Sequence, residues 1–595
     1  MESSNPIARH TGRTATVSGR ISRRLQSMSA ACCIAVMSII ALINLLATMC
    51  YPSPYSFSDP YFDAAAVLLG IIMAVGMLVL LAYADNAIRR FRLLHVGIVC
   101  IIAVGVMAAV WITMNRIIRN DPPNTIIGGD TRMVIGYARE IFSKGNDGVR
   151  YDMENEYLQR YPYQSGAILM MLPIVALTMR LDVNMAELLL EYANIPVIML
   201  AAAFIVIIAW LMKGADAAKH AAIMSVMFAP LWMSAIQVYA NIYSLPFLLA
   251  MTALAVAFSK TRGTKPAVAS SAGVLAAAFI LGALKPNNLI MGIAVMLTLV
   301  LIMLACPHHE GRLKPILAAI MAMLVIPLML AGGVAAQSAV EKLSGIEFDK
   351  AKAQPTSLFI GMGLGDESDH GKGFYLTAIG GAWSDMDKQA EKADASINNR
   401  LNQMRTDPMG AAGFFSMKTL QTWSDPTYSY AIRNGAKTRS HADVLAALFP
   451  DWKTQPMKET AGQRIVNTNA FMIAMRTWCD GIGIIISGLA VMGVWRVRKQ
   501  PALTLPALCV LGGFLFHIIW ETQPEYAFTY FIMLIPYAGI GAHVLMDALR
   551  THGSIRLPFL NLNRKEPDAE RQADGSARPA ASFGADVSES DCPAT

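Results

Sequence analysis

The sequence predicts an all-α polytopic membrane protein of about 12–14 transmembrane helices. Two outer-face loops interrupt them, the second a small, mainly helical soluble element. Three observations carry this. Only 15% of the 595 residues are charged and 55% are hydrophobic, against roughly 25% charged in a soluble domain. The apolar residues are gathered into runs long enough to cross a bilayer, which takes roughly 20 residues each. The basic residues fall in short loops between those runs, the pattern that marks a cytoplasmic side.

The runs lie near 28–50, 64–84, 95–114, 166–182, 193–212, 221–239, 242–259, 267–284, 289–306, 315–335, 475–495, 501–520 and 527–547. In lipid each must satisfy its backbone internally, so each is expected to be helical. Five arginines precede the first run: Arg9, Arg13, Arg20, Arg23 and Arg24. That run exceeds a signal-peptide core and lacks a clear small-residue cleavage site, so it reads as a retained span. Arg89, Arg90 and Arg92, and Arg496, Arg498 and Lys499, are expected inside. So are Lys213, Lys219, Lys260, Arg262, Lys265, Arg312 and Lys314. This leaves 115–165, 240–241, 285–288, 336–470 and 521–526 outside. One tension stands: an odd number of crossings must separate 115–165 from Lys213, yet two runs lie between them.

The resulting organisation is a basic cytoplasmic N-terminus at 1–27 and a transmembrane bundle at 28–335 that contains the first outer loop, 115–165. A large outer loop follows at 336–470, with helix-like stretches such as 386–406. C-terminal spans at 471–548 precede a cytoplasmic tail at 549–595, whose composition gives it little to bury. The expected location is the plasma membrane, with both termini cytoplasmic. The net charge of +7 is dispersed over the loops, which argues for topology and against a nucleic-acid partner. The eight cysteines form neither a disulfide framework nor paired zinc spacing.

The first outer loop holds the chemistry-bearing candidates. Asp130 follows Gly128 and Gly129 and precedes a helical stretch at 131–143. It suits an N-cap, and a carboxylate so placed also suits proton abstraction from a hydroxyl. Asp152, Glu154 and Glu156 read either as a solvated turn or as a second acidic group with affinity for a divalent metal. YLQRYPYQSG, at 157–166, contains Arg160, Tyr161 and Gln164, with Tyr157 and Tyr163 beside them. Its tyrosines suit an interfacial belt or stacking on a sugar.

KPNN, at 285–288, supplies Lys285, Asn287 and Asn288. A lone outer lysine runs against the positive-inside trend, and a compact ammonium suits a phosphate. Snorkelling is the structural alternative. GGFLFHIIWETQPEY, at 512–526, places His517 in an apolar run and Glu521 just after it, followed by Tyr526. An ionisable group at such depth is a functional candidate by default. In the large loop, FFSMKTLQTWSDPTY offers Lys418 and Trp423 for a phosphate or sugar, or as an amphipathic helix with a Trp anchor.

In order along the chain, the GGD, YLQRYPYQSG, KPNN, KTLQTWSDPTY and WETQPEY motifs, the last leading into IPYAGIG, resemble the GT-C superfamily of integral-membrane glycosyltransferases. The nearest likeness is to bacterial members of the protein-mannosyltransferase kind, found in Gram-positive cell-envelope gene sets. The resemblance covers roughly 95–545. It implies a polyprenyl-phosphate sugar donor, a glycan, lipid or protein acceptor, and inverting transfer on the outer face. It also implies that Asp130 is the general base and that basic residues, Lys285 first, hold the donor phosphate. The chain departs from the pattern at Glu525–Tyr526, where related enzymes often carry an Arg before the Tyr. Arg132, Arg160 or Lys418 then has to supply that charge, or the donor differs. A transporter or flippase of lipid-linked glycans would show internal repeats, and none is evident. A non-catalytic envelope-assembly protein would work through its large loop.

Overall fold

The computed structural model describes residues 6–46, 64–118, 129–143, 157–180, 183–305, 313–345, 347–349, 351–366, 372–373, 388–430 and 469–551. Among these the chain is helical throughout, without strands. Residues 1–547 form one compact unit, and only the last turn of helix in 548–595 is described.

The helices are α1 Pro6–Leu46, α2 Ala64–Ile88, α3 Leu93–Ile118, α4 Gly129–Ser143, α5 Ser165–Thr178, α6 Val183–Lys213 and α7 Ala215–Met227. They continue with α8 Ala240–Lys260, α9 Thr264–Leu284, α10 Leu289–Ala305 and α11 Leu313–Ser344. The large loop contributes α12 Thr356–Leu364, α13 Gln389–Thr406 and α14 Pro408–Trp423. The chain closes with α15 Asn469–Val497, α16 Leu505–Ile519, α17 Pro524–Phe531 and α18 Ile535–Thr551.

Eleven helices among the described residues are long and apolar enough to cross a membrane. Two of the apolar runs behave differently. The run at 166–182 forms α5, only 14 residues long. Its far end returns to α4, where Arg139 Nη2 donates to the Met179 carbonyl at 3.5 Å. Residues 183–192 are not a separate surface helix. They are the first turns of α6, which runs 31 residues without a break.

The run at 221–239 is divided into α7, Ala229–Met233 and Ser234–Ile236. This segment is buried along nearly its whole length. Its neighbours are protein, so it escapes the requirement for one uninterrupted apolar helix. Its first turn meets α2, where His220 Nε2 lies 3.1 Å from Asp85 Oδ1. Its last residue meets α4, where the Tyr239 hydroxyl lies 3.4 Å from Asp130 Oδ2. The segment therefore runs from one end of the bundle to the other in three pieces.

Those two ends differ in composition. One gathers the basic loops. Gln26 Nε2 donates to the Arg498 carbonyl at 2.9 Å, Lys314 Nζ to the Thr261 carbonyl at 2.8 Å, and Arg89 Nη2 to Asp547 Oδ1 at 3.5 Å. The other end carries Asp130, Tyr239, Lys285 and Glu521. Small residues let helices approach closely between the ends. A Cβ on Gly282 would lie 1.9 Å from the Met329 carbonyl oxygen, and one on Gly332 would lie 2.0 Å from that of Phe279. This close seam joins α9 to α11 and fixes the height of Lys285.

Candidate active site

Lys285 follows directly on α9, in extended backbone at φ −161° and ψ 132°. Pro286 cannot continue the helix, and the chain turns at once into α10. The side chain is thereby thrown toward the start of α8, where Nζ donates to Asn241 Oδ1. It lies 5.5 Å from the centroid of the Tyr239 ring and 5.1 Å from that of Tyr526. Among the described residues no carboxylate lies within ion-pairing distance of Lys285. Burial pulls its ammonium below the ordinary lysine value, while the fields of Glu525, Glu521 and Asp130 oppose that.

Asp130 lies in the first turn of α4, one residue inside the helix rather than at its cap. Tyr239 is the hub between it and the cation. Its hydroxyl reaches Asp130 Oδ2 at 3.4 Å and accepts from Gln164 Nε2 at 2.5 Å. Burial first, then the Asp130 carboxylate, push this phenol well above its usual range. Tyr239 is held by the last piece of the broken segment. Asn194 Nδ2 donates to the carbonyls of Ala235 at 2.8 Å and Gln237 at 3.0 Å. Gln237 Nε2 in turn donates to Glu525 Oε2 at 3.2 Å.

Glu521 sits in the turn between α16 and α17. Its Oε1 accepts from the Tyr526 hydroxyl at 3.4 Å. Burial drives this carboxyl up to about 7, against the pull of Lys285 and with the help of Asp130. A cleft beside the cluster is lined by Asn241, Lys285, Asn287, His517, Tyr526 and Thr529, with Leu248 and Met291 below.

YLQRYPYQSG frames the other side. Tyr157 and Tyr161 lie 4.8 Å apart between centroids, Tyr161 and Tyr163 5.9 Å, and Tyr163 and Phe359 6.4 Å. Burial and Asp130 raise the Tyr161 phenol to about 12. This loop is tied to the chain beyond α11. Gln159 Nε2 donates to the Glu347 carbonyl at 2.9 Å, Gln354 N to the Arg160 carbonyl at 3.0 Å, and Gln354 Nε2 to the Tyr161 hydroxyl at 3.0 Å.

The structure thus brings Asp130, Tyr161, Gln164, Lys285, Asn287, Glu521 and Tyr526 to one place. Asn288 lines the same cleft, but its amide donates to Ser244 Oγ at 3.0 Å and the Leu281 carbonyl at 2.8 Å. Lys418 is buried, and its ammonium is spent on the carbonyls of Gly363, Ile518 and Trp520. Trp423 packs in the core 5.9 Å from Phe514. The rest of its motif closes on itself, since Asp425 accepts from Thr427 N at 2.9 Å and Ser429 N at 2.8 Å. The side chain of Arg132 and residues Asp152, Glu154 and Glu156 lie outside the described residues. Among the described residues no group of three or more His, Cys, Asp and Glu is arranged to hold a metal ion.

Sequence reasoning passed over Gln237, Tyr239, Asn241 and Glu525 as site residues. A signal was present, because polar side chains at 237, 239 and 241 alternate at the close of an apolar run.

Fold and cleft define an integral-membrane, all-α protein with an ionisable cluster at one end of its bundle. The chain belongs to a family described as conserved hypothetical integral membrane proteins, whose sequence model matches residues 61–546. No characterised protein matches it by sequence. Among solved structures it is similar to the archaeal oligosaccharyltransferase AglB from Archaeoglobus fulgidus, solved with an inhibitory peptide and a dolichol-phosphate. That likeness has 11% identity and a TM-score of 0.40, covering 78% of this chain. The chain spans about half (52%) of that protein's length.

Proposed function

We propose that the chain is a membrane glycosyltransferase that moves a sugar from a polyprenyl-phosphate donor to a cell-envelope acceptor on the outer face. One observation supports this above the others. A carboxylate from the first loop and a buried ammonium from the middle of the chain meet at one tyrosine. Asp130 Oδ2 is 3.4 Å from the Tyr239 hydroxyl, and Lys285 Nζ is 5.5 Å from the centroid of its ring. Glycosyl transfer from a phosphate needs that pair of charges. Asp130 takes the proton from the acceptor hydroxyl as its oxygen attacks the anomeric carbon. The bond from that carbon to the phosphate oxygen breaks, and the departing phosphate carries its charge to Lys285. Positioning and charge stabilisation then account for the rate. One direct displacement inverts the anomeric centre.

Topology supports the outer face. Counting the divided 215–236 segment as a crossing and α5 as none, a single crossing, α6, separates the first loop from Lys213. The odd parity demanded by the basic loops is then met. Lys and Arg gather at the far end, which this reading makes cytoplasmic together with both termini. The cleft, the first loop and the large loop share the opposite face.

The test is transfer in membranes, using radiolabelled polyprenyl-phosphate sugars. Wild type transfers label, and Asp130→Asn lowers the rate by about 10²–10⁴-fold, the range for losing a general base. Full activity in Asp130→Asn overturns the assignment of the base. No transfer by wild type from any such donor overturns the reading.

A further inference from the structure

We propose that Lys418 is a positioning residue. By tying the large loop to the turn at 520–523, it fixes where Glu521 stands beside the cleft. Its bearing on transfer rests on the function proposed above; the placement itself does not.

Within the turn, His517 Nδ1 lies 3.2 Å from the Glu521 carbonyl oxygen and Tyr526 N donates to the Gln523 carbonyl at 3.1 Å. Trp520 ends α16 in extended backbone at φ −81° and ψ 158°, and the last carbonyls of that helix are left without intrahelical donors. Lys418, projecting from α14, supplies the missing donor. Its Nζ lies 3.0 Å from the Ile518 carbonyl oxygen and 2.8 Å from that of Trp520, and it also donates to Gly363 at the end of α12. An ammonium has three hydrogens to give, and all three are used on backbone.

Around this knot the large loop wraps the turn. Glu521 N donates to the Phe359 carbonyl at 3.1 Å and Thr522 N to that of Gly373 at 3.0 Å. The hydroxyls of Thr422 and Thr522 are 2.7 Å apart. Trp520 stacks on Phe359 at 5.3 Å between centroids. Gly373, at φ +66°, packs against both α12 and the lysine stem: a Cβ there would lie 2.5 Å from the Gly363 carbonyl oxygen and 2.7 Å from Lys418 Cε.

Removing this lysine has two opposed consequences for Glu521, and their signs differ. Lys418 is a positive charge that lowers the Glu521 value through space. Charge loss alone would raise it. Losing the anchor frees the turn into water and removes the burial that raises it, so the value falls. The other ionisable groups facing Glu521 are Asp130 from α4, Tyr161, Tyr163, Tyr239, Lys285, His517 from α16, and Glu525 and Tyr526 from α17. None of these changes in the variant.

The experiment labels the full-length protein in membranes with dicyclohexylcarbodiimide. This reagent takes protonated carboxyls in apolar surroundings, and mass spectrometry reads the Glu521 peptide across pH. Wild type labels with a midpoint at about 7. In Lys418→Met the midpoint falls by one unit or more, toward the roughly 4.3 of a free glutamate. An unchanged or raised midpoint overturns the proposal, a rise being the signature of charge loss without release. Gly373→Ala disturbs the same knot, at the Gly363 carbonyl and the Lys418 stem together, with the lysine charge retained. Its midpoint falls too, and it decides the matter if Lys418→Met is not recovered folded. An unchanged midpoint there overturns the proposal. If the midpoints move as expected while wild type shows no transfer, the proposed function fails and the positioning role stands.

Discussion

At the basic end of the bundle, His220 Nε2 lies 3.1 Å from Asp85 Oδ1, and Arg89 Nε lies 3.3 Å from the other oxygen of the same carboxylate. Arg89 reaches on to Asp547, and His543 Nε2 meets Asp547 Oδ2 at 3.5 Å. At the cleft end Lys285 has an amide oxygen and two ring faces. Glu521 has a phenol, and Glu525 accepts from an amide. Asp85 and His220 at one end, and Lys285 and Glu521 at the other, are ionisable groups withdrawn into a membrane protein, where they are expensive. One end sets its ionisable groups in direct contact with one another and ties α2, α7 and α18 together. At the other, Lys285 and Glu521 touch neutral polar and aromatic groups. Paired charge is already satisfied and locks helices. Spaced charge leaves its fields unspent, and an incoming substrate can use them.

The contrast can be broken by substitution. Beyond the loss expected for Asp130→Asn, the largest effect falls on stability at the paired end. Asp85→Leu leaves His220 buried without its carboxylate and lowers unfolding stability by about 3 kcal/mol, while Asp85→Leu with His220→Leu recovers most of the loss. Denaturant unfolding in detergent measures both. At the spaced end the pattern inverts. Lys285→Met relieves a buried cation that has no ion pair among the described residues, so its melting temperature equals or exceeds that of wild type. Its transfer rate falls by about 10²-fold, the scale of one electrostatic stabiliser of a developing charge. Destabilisation of Lys285→Met as deep as that of Asp85→Leu would erase the distinction. The smallest effect belongs to the spacer. Tyr239→Phe keeps the ring beneath Lys285 and removes only the hydroxyl shared by Asp130 and Gln164. Transfer falls about tenfold, the worth of one hydrogen bond to a charged group.

Much of this architecture was legible in the sequence. Apolar runs and basic loops marked most of the spans, because lipid-facing helices have to be apolar over their full length. Lys285, Glu521 and Tyr526 stood out because they place polar groups at the ends of spans, and Asp130 because two glycines and a helix start frame it. Tyr239 did not, because it belongs to a segment whose neighbours are protein rather than lipid, and hydropathy is silent about such surroundings; Asn241, in the first turn of α8, adjoins it. Lys418 was visible as a cation in an aromatic stretch. Only the path of α14 against α12 and α16 showed that its ammonium meets backbone carbonyls. Glu525 stood out in the sequence only as a departure from a resemblance, and its partner Gln237 lies on a distant piece of chain.

The divided segment at 215–239 has a consequence for how the chain is made. It carries Asp216, Lys219 and His220 near its start and breaks at Phe228, so an insertion machine that weighs each emerging segment against lipid has little reason to retain it. Its interior lies almost wholly against other protein. It packs on α3 and α6, and on the topology proposed above it is expected to follow them into the bilayer, with the direction of each span from α8 onward depending on that step. A chain stopped before Ala240 lacks the tyrosine hub's supporting helix, and a chain whose α6 is weakened is expected to be threaded the wrong way from that point on.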